Sequence, residues 1–146
     1  MLSTRIHKPS HLSFKKNLRL LNSKNYKTVF DSVEYKQCSG YFTFLSRENQ
    51  LSRSRLGIVV AKKHIPLAVK RNKIKRAIRE SFRHHREVTY NDSYEVNTHD
   101  CLIEQEGLKM FFDTVVLVKA KANFLSDIEL KKELEKQWMK ISKKQN

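Results

Sequence analysis

Lys62 to Arg86 reads KKHIPLAVKRNKIKRAIRESFRHHR, ten Lys or Arg against a single acid, Glu80. Side chains of this kind, at this density, bind anions. At about 100° per residue, Ile74, Ala77, Ile78, Ser81 and Phe82 follow the i, i+3, i+4, i+7, i+8 spacing of a core-facing stripe. Asn72, Arg76, Arg79 and Arg83 fall on the far side, with Lys73, Lys75 and Arg86 along its margins. A helix that buries one face and presents cations on the other is suited to a polyanion, nucleic acid above all. Side chains one turn apart are ~5.4 Å apart along the axis, close to the spacing of neighbouring phosphates.

The other chemistry-bearing residues carry weaker patterns. His99, Asp100 and Cys101 are consecutive, and consecutive residues rarely converge on one reacting atom. His84 and His85 with Cys38 or Cys101 lack zinc-ligand spacing, and the two histidines read as an extension of the cationic helix end. Gly40, Gly57 and Gly107 form no phosphate-binding loop. Residues 1–87 offer only Asp31, Glu34, Glu48, Glu80 and Glu87, none in a metal-binding cluster. The expectation is a protein with no catalytic residue and no metal ligand of its own.

The elements that must carry the basic helix follow from composition and pattern. The 146 residues include 30 Lys+Arg and 15 Asp+Glu, a net charge of +15. Residues 1–87 hold 21 basic and 5 acidic side chains, residues 88–146 hold 9 and 10, so the first part carries nearly all the positive field. Length and only two prolines fit one domain over 20–146, preceded by a flexible basic arm over 1–19 that stiffens on RNA. Cys38 and Cys101 read as buried free thiols of a reducing compartment. No apolar run spans a bilayer, and MLSTRIHKPSHLSFKKNL lacks a secretory apolar region. A cytoplasmic protein is expected.

Ser23 can cap a helix over 24–33, with Tyr26, Val29, Phe30 and Val33 at one-face spacing. YFTFLS after Gly40 alternates as a strand, with Phe42 and Phe44 on one face and Tyr41, Thr43 and Leu45 on the other. Residues 47–55 read as a loop, LGIVVA (56–61) as a second strand, and Pro66 as the entry to the basic helix. Residues 87–110 read mostly as loop, with a short element near Cys101–Gln105. TVVLV (114–118) is a buried strand, and Ser126 with Glu129 makes a capping box for a last helix burying Leu130, Leu134, Trp138 and Ile141. The order helix, strand, strand, helix, strand, helix is an α+β domain.

VAKKHIPLAVKRNKIKRAIRESFR resembles the signature of the bacterial ribonuclease P protein component, a basic run led by Arg-Asn-Arg. It stands here as Arg71, Asn72, Lys73, Lys75, Arg76 and Arg79. RLLNSKNYKTVF is similar to the family's first helix and ELEKQW to its last, so the resemblance covers about residues 19–86 and 113–139. Lys73 replaces an Arg, which keeps the charge and loses the bidentate fork. The stretch 87–112 is longer than the family's usual connection.

The resemblance implies a two-layer α/β sandwich with a small, mostly antiparallel sheet and a left-handed βαβ crossover through the basic helix. It also implies two partners, a catalytic ribonuclease P RNA and precursor tRNA, with no membrane and no obligate protein partner. The RNA does the chemistry with Mg²⁺, bound mainly by RNA and substrate, and the 5′ leader is removed. Arg71, Arg76 and Arg79 are then the expected phosphate contacts, supported by Lys73, Lys75, Lys62 and Lys63. Asn72 offers an amide for a 2′-OH, a base edge or hydrated metal. Tyr26, Phe30, Phe42 and Phe44 match positions lining the leader cleft, where bases stack on aromatic platforms; the alternative is that all four are core. Charge alone would equally allow a structural RNA-binding protein of ribosomal type. A DNA-binding regulator would need a helix-turn-helix pair, and the strand before the basic helix argues against it.

Overall fold

The two central strands are buried on both faces over four or five consecutive residues. In the computed structural model, which describes residues 14–91 and 110–145, these are β2 (Phe42–Asn49) and β4 (Phe111–Val118). They pair antiparallel from Phe42↔Val118 to Asn49↔Phe111. β1 (Tyr35–Cys38) pairs antiparallel with β2, and β3 (Arg55–Val59) runs parallel to β4, giving the order β1-β2-β4-β3. The β3–β4 connection crosses through the basic helix α2 (Ala68–Asn91). α1 (Ser23–Asp31) precedes the sheet and α3 (Asp127–Gln145) ends the described chain. The result is the expected α+β fold. His99, Asp100, Cys101 and the short element expected at 101–105 lie outside the described residues.

Strand alternation sends the two halves of the apolar sequence to opposite faces. Phe42, Phe44, Leu56, Val116 and Val118 join Ile74, Ile78 and Phe82 of α2 and Leu130, Leu134, Trp138 and Ile141 of α3 in the larger buried cluster. Leu45 and Val115 face the other way, against Val29 of α1 and Leu20 just before it. The stripe expected on α2 is therefore the buried one, with Ser81 and Ala77 completing it.

The buried Trp138, Ser81, Gln37, Gln137 and Asp113 side chains inside this fold are paired, as burial requires. The Trp138 indole donates to Ser81 Oγ at 2.9 Å, and Ser81 donates to the Ile78 carbonyl at 2.8 Å. Gln37 donates to Gln137 Oε1 at 2.9 Å, pinning β1 to α3. On the α1 side Asp113 receives a two-pronged grip from Arg55, at 2.8 and 2.6 Å, and a third bond from Asn49 at 2.8 Å. These bonds lock the ends of β2, β3 and β4 together, and they raise the Arg55 pKa.

Helix ends follow their capping chemistry, with one correction. Asn22, not Ser23, caps α1: its side-chain oxygen accepts the Asn25 N–H at 2.9 Å. Ser126 and Glu129 form the reciprocal capping box of α3, at 2.8 and 3.3 Å, which lowers the Glu129 pKa. Two further expectations change. α2 continues to Asn91, beyond the Arg86 where the apolar pattern fades. β1 is a strand that the pattern does not predict, because YKQC carries no apolar alternation. No helix among the described residues is long and apolar enough to cross a membrane.

Candidate nucleic-acid interface

With Ile74, Ile78 and Phe82 turned inward, the geometry of α2 leaves Asn72 and Arg76 exposed on its outer face. The margins differ. On one side Lys73 reaches Asp127 at the start of α3, 2.8 Å away, with both groups solvated. A pair this exposed contributes little to stability and leaves Lys73 accessible. On the other side Lys75 and Arg79 line a groove. Lys62 and Lys63 lie exposed in the turn after β3, immediately before the helix.

Arg71 occupies a different position from its signature neighbours. It is half-buried, and its Nη1 donates to the carbonyls of Ile65 (2.9 Å) and Pro66 (2.6 Å). The side chain straps the turn that carries Lys62 and Lys63 onto the helix start. Its remaining N–H groups are left for an anion, so a structural task is added to the expected one. Arg83 pairs with Glu80 one turn away.

The groove holds about 280 Å³ and opens along the outer edge of β3. Its walls are Phe14, Arg19, Leu20, Leu21, Tyr26, Leu56 and Ile58, facing Lys75 and Arg79. An exposed strand edge needs partners for its backbone, and here the chain supplies them. The Leu20 N–H donates to the Leu56 carbonyl at 3.0 Å, and the Ile58 N–H donates to the Tyr26 hydroxyl at 3.2 Å. Phe14 stacks edge-on against Phe82 at 5.8 Å, and the Arg19 guanidinium lies 5.0 Å over the Phe14 ring. Aromatic surface, a polar strand edge and a cationic wall meet within one groove.

The expected site is therefore partly redrawn. Tyr26 lines the groove. Phe30 is 43 % exposed on α1, so its surface is available although it is not a groove wall. Phe42 and Phe44 are corrected: both are wholly buried, Phe42 edge-on to Phe44 (ring centroids 6.4 Å apart) and Phe44 edge-on to Trp138 (4.8 Å), where no base can reach them. Phe14 and Arg19 belong to the groove although they fall within 1–19, where the sequence predicts a flexible arm. Phe14–Arg19 instead pack onto the fold through a short 3-10 turn, Lys16–Leu18, whose Leu18 is buried. The signal was present in the Phe-x-x-x-Leu spacing of Phe14 and Leu18, masked by the lysines between them.

Two further readings are corrected by burial. His85 is not part of a cationic helix end. It stacks on Trp138 at 5.1 Å, sits 3.0 Å from Ser142 Oγ, and burial lowers its pKa to about 4, so the ring is neutral. Cys38 is free and exposed, not buried. Among the described residues, no three His, Cys, Asp or Glu gather in a way that could hold a metal ion.

The sequence and its fold have counterparts among known proteins. The family model for ribonuclease P matches residues 14–142. The ribonuclease P protein component of Aliivibrio fischeri is 39 % identical over 130 residues, covering 89 % of this chain and 93 % of that one. A solved structure of the Staphylococcus aureus RNase P protein superposes with a TM-score of 0.65 at 26 % identity, over 86 % of this chain and 95 % of that one. The Thermotoga maritima RNase P protein gives 0.55 at 28 % identity, over 81 % and 96 %.

Proposed function

The chain belongs to the ribonuclease P protein component family, and on that premise we propose that it grips a catalytic RNA and the 5′ leader of precursor tRNA in one complex. RNA binding and tRNA processing come with the family, as does a place in an endoribonuclease ribonucleoprotein. The assignment of surfaces is ours. The outer face of α2, with Arg76, Asn72 and Lys73 and with Lys62 and Lys63 beside it, contacts phosphates of the RNA subunit. The single-stranded leader lies in the β3-edge groove, its bases against Phe14 and Tyr26 and its phosphates near Arg19, Lys75 and Arg79. Phe30 extends the aromatic surface along α1.

One observation carries this reading: the groove joins an aromatic wall to the cationic margin of the signature helix. Single strands are held without sequence demands by that combination, a stacking platform beside a charged rim. A duplex would meet only the rim.

In this reading, cleavage chemistry resides in the RNA. Mg²⁺ would be held by RNA and substrate, not by side chains of this chain, and would supply Lewis-acid chemistry at the cleaved phosphate. The protein's cations lower repulsion between two polyanions, so less Mg²⁺ is needed for them to associate. The protein acts in the cytoplasm, with no obligate protein partner.

Affinity purification of the tagged protein, followed by sequencing of the bound RNA, tests the reading. The expected result is one dominant structured RNA of ribonuclease P type, with precursor tRNAs carrying 5′ leaders. Recovery of ribosomal RNA in its place would favour a structural ribosomal role.

A further inference from the structure

The four most exposed large apolar side chains among the described residues stand at one corner of the molecule. They are Leu67 (70 %), Val69 (80 %), Phe124 (84 %) and Ile128 (69 %). Leu67 and Val69 flank the first residue of α2, Phe124 ends a 3-10 turn over Ala120–Phe124, and Ile128 opens α3. Two contacts bind these segments together. Lys70 Nζ donates to the Leu125 carbonyl at 3.0 Å, and Lys73 meets Asp127 at 2.8 Å. An apolar patch rimmed by polar groups on a soluble protein marks a binding surface.

The rim of this patch is cationic. Lys121 is exposed within the 3-10 turn, and Lys62 and Lys63 are exposed in the turn before α2. That turn is held near the end of β4, since His64 Nδ1 lies 3.2 Å from the Val118 carbonyl oxygen. Along α2, Val69, Asn72, Lys73 and Arg76 share one face at i, i+3, i+4, i+7. The acids nearby are already engaged: Asp127 with Lys73, and Glu129 with the Ser126 N–H.

We propose that this corner is a third RNA contact, separate from the β3-edge groove and adjoining the outer face of α2 through Lys62 and Lys63. One or two unstacked bases of the RNA subunit rest on Phe124 and its aliphatic neighbours, while the adjoining phosphates meet Lys62, Lys63 and Lys121. Unpaired nucleotides are the chemistry that fits, because a splayed base offers an apolar face with an anion beside it. A second copy of this chain fits poorly, since each copy carries a net charge of +15 and would bring like-charged rims together. The inference rests on the RNA-subunit reading above and adds to it a site that reads bases as well as charge.

The test compares wild type with a Phe124→Ala, Val69→Ser double variant, both side chains being solvent-facing, after thermal melts establish that the variant folds. The probe is the purified ribonuclease P RNA subunit from the same genome, titrated at several salt concentrations. The dissociation constant should rise on the order of tenfold, with an unchanged log–log salt slope because no charge is lost. Lys121→Ala should instead lower that slope by roughly 0.7–0.9. Affinity of the assembled complex for leader-bearing precursor should not change. Unaltered affinity of the folded double variant for the RNA subunit would overturn the proposal. Self-association of the wild-type protein, abolished in the double variant, would overturn it in favour of a protein interface. If wild-type protein does not bind the RNA subunit at all, the underlying reading fails and takes this inference with it.

Discussion

The hydroxyl of Tyr26 on α1 accepts the backbone N–H of Ile58 on β3 at 3.2 Å, so a groove-lining aromatic also closes a strand edge. Tyr26→Phe keeps the ring and leaves that N–H to water. The expected cost is about 1 kcal/mol of stability, with leader affinity nearly unchanged. Tyr26→Ala should lose leader affinity as well. Chemical denaturation together with precursor binding separates the two effects; a large leader-affinity loss in Tyr26→Phe would assign the hydroxyl a direct RNA contact.

Gly57 lets the ring lie flat on β3. A Cβ at this position would stand 2.7 Å from Tyr26 Cε1 and 2.9 Å from Leu20 Cδ1. Gly57→Ala should therefore push Tyr26 out of place, destabilising the fold by roughly 1–3 kcal/mol and weakening leader binding together with it. A variant as stable as wild type, with full affinity, would show that the groove tolerates a displaced ring.

Phe42→Ala and Phe44→Ala should each cost roughly 3–5 kcal/mol of stability, because each leaves a cavity in the main core. At temperatures where the variants remain folded, leader affinity should be close to normal. Loss of leader affinity with an unchanged melting temperature would return these rings to the binding surface.

His85 gives the fold a predictable response to acid. Burial holds the folded ring neutral to about pH 4, whereas the ordinary value is 6.5. The unfolded chain therefore takes up the proton first. The contribution to stability is full above pH 6.5 and is lost as pH falls from there towards 4, on the order of 3 kcal/mol in all. Between pH 6.5 and 5, urea midpoints should fall with acidification in wild type and much less in His85→Phe. Parallel curves would mean that the native ring takes up its proton as readily as the unfolded one.

The cationic face separates charge from structure. Arg76→Ala should weaken RNA binding and lower the log–log salt slope by roughly 0.7–0.9 without loss of stability. Arg71→Ala should do both, since its guanidinium also holds the Ile65 and Pro66 carbonyls. An Arg71 variant of normal melting temperature would reduce that strap to an incidental contact.

The sequence made the basic helix legible because its two periodicities agree: apolar residues fall on one side and cations on the other. The same holds for β4 and for the capping box of α3. What stayed hidden depended on long-range contacts. Alternation shows that Phe42 and Phe44 share a face, but only the docking of α2 and α3 determines that this face is the covered one. β1 is a strand by virtue of its pairing with β2 and the Gln37–Gln137 bond, neither visible in YKQC. The pattern over 24–33 suggests four inward residues, yet Val29 alone among them is fully buried: the helix ends at Asp31, which leaves Phe30 at its margin and Val33 beyond it. Phe14 joins the groove by stacking on Phe82, a residue 68 positions away.

The central claim, that this protein positions RNA and leaves cleavage to it, is tested most directly by reconstitution. Precursor tRNA is incubated with rigorously RNA-free protein, with the ribonuclease P RNA subunit, and with both, across a Mg²⁺ series. The account predicts no cleavage by protein alone, and mature 5′ ends from the combination at lower Mg²⁺ than the RNA needs by itself. Metal-dependent cleavage by the RNA-free protein, abolished by substituting His99, Asp100 and Cys101 together, would contradict it.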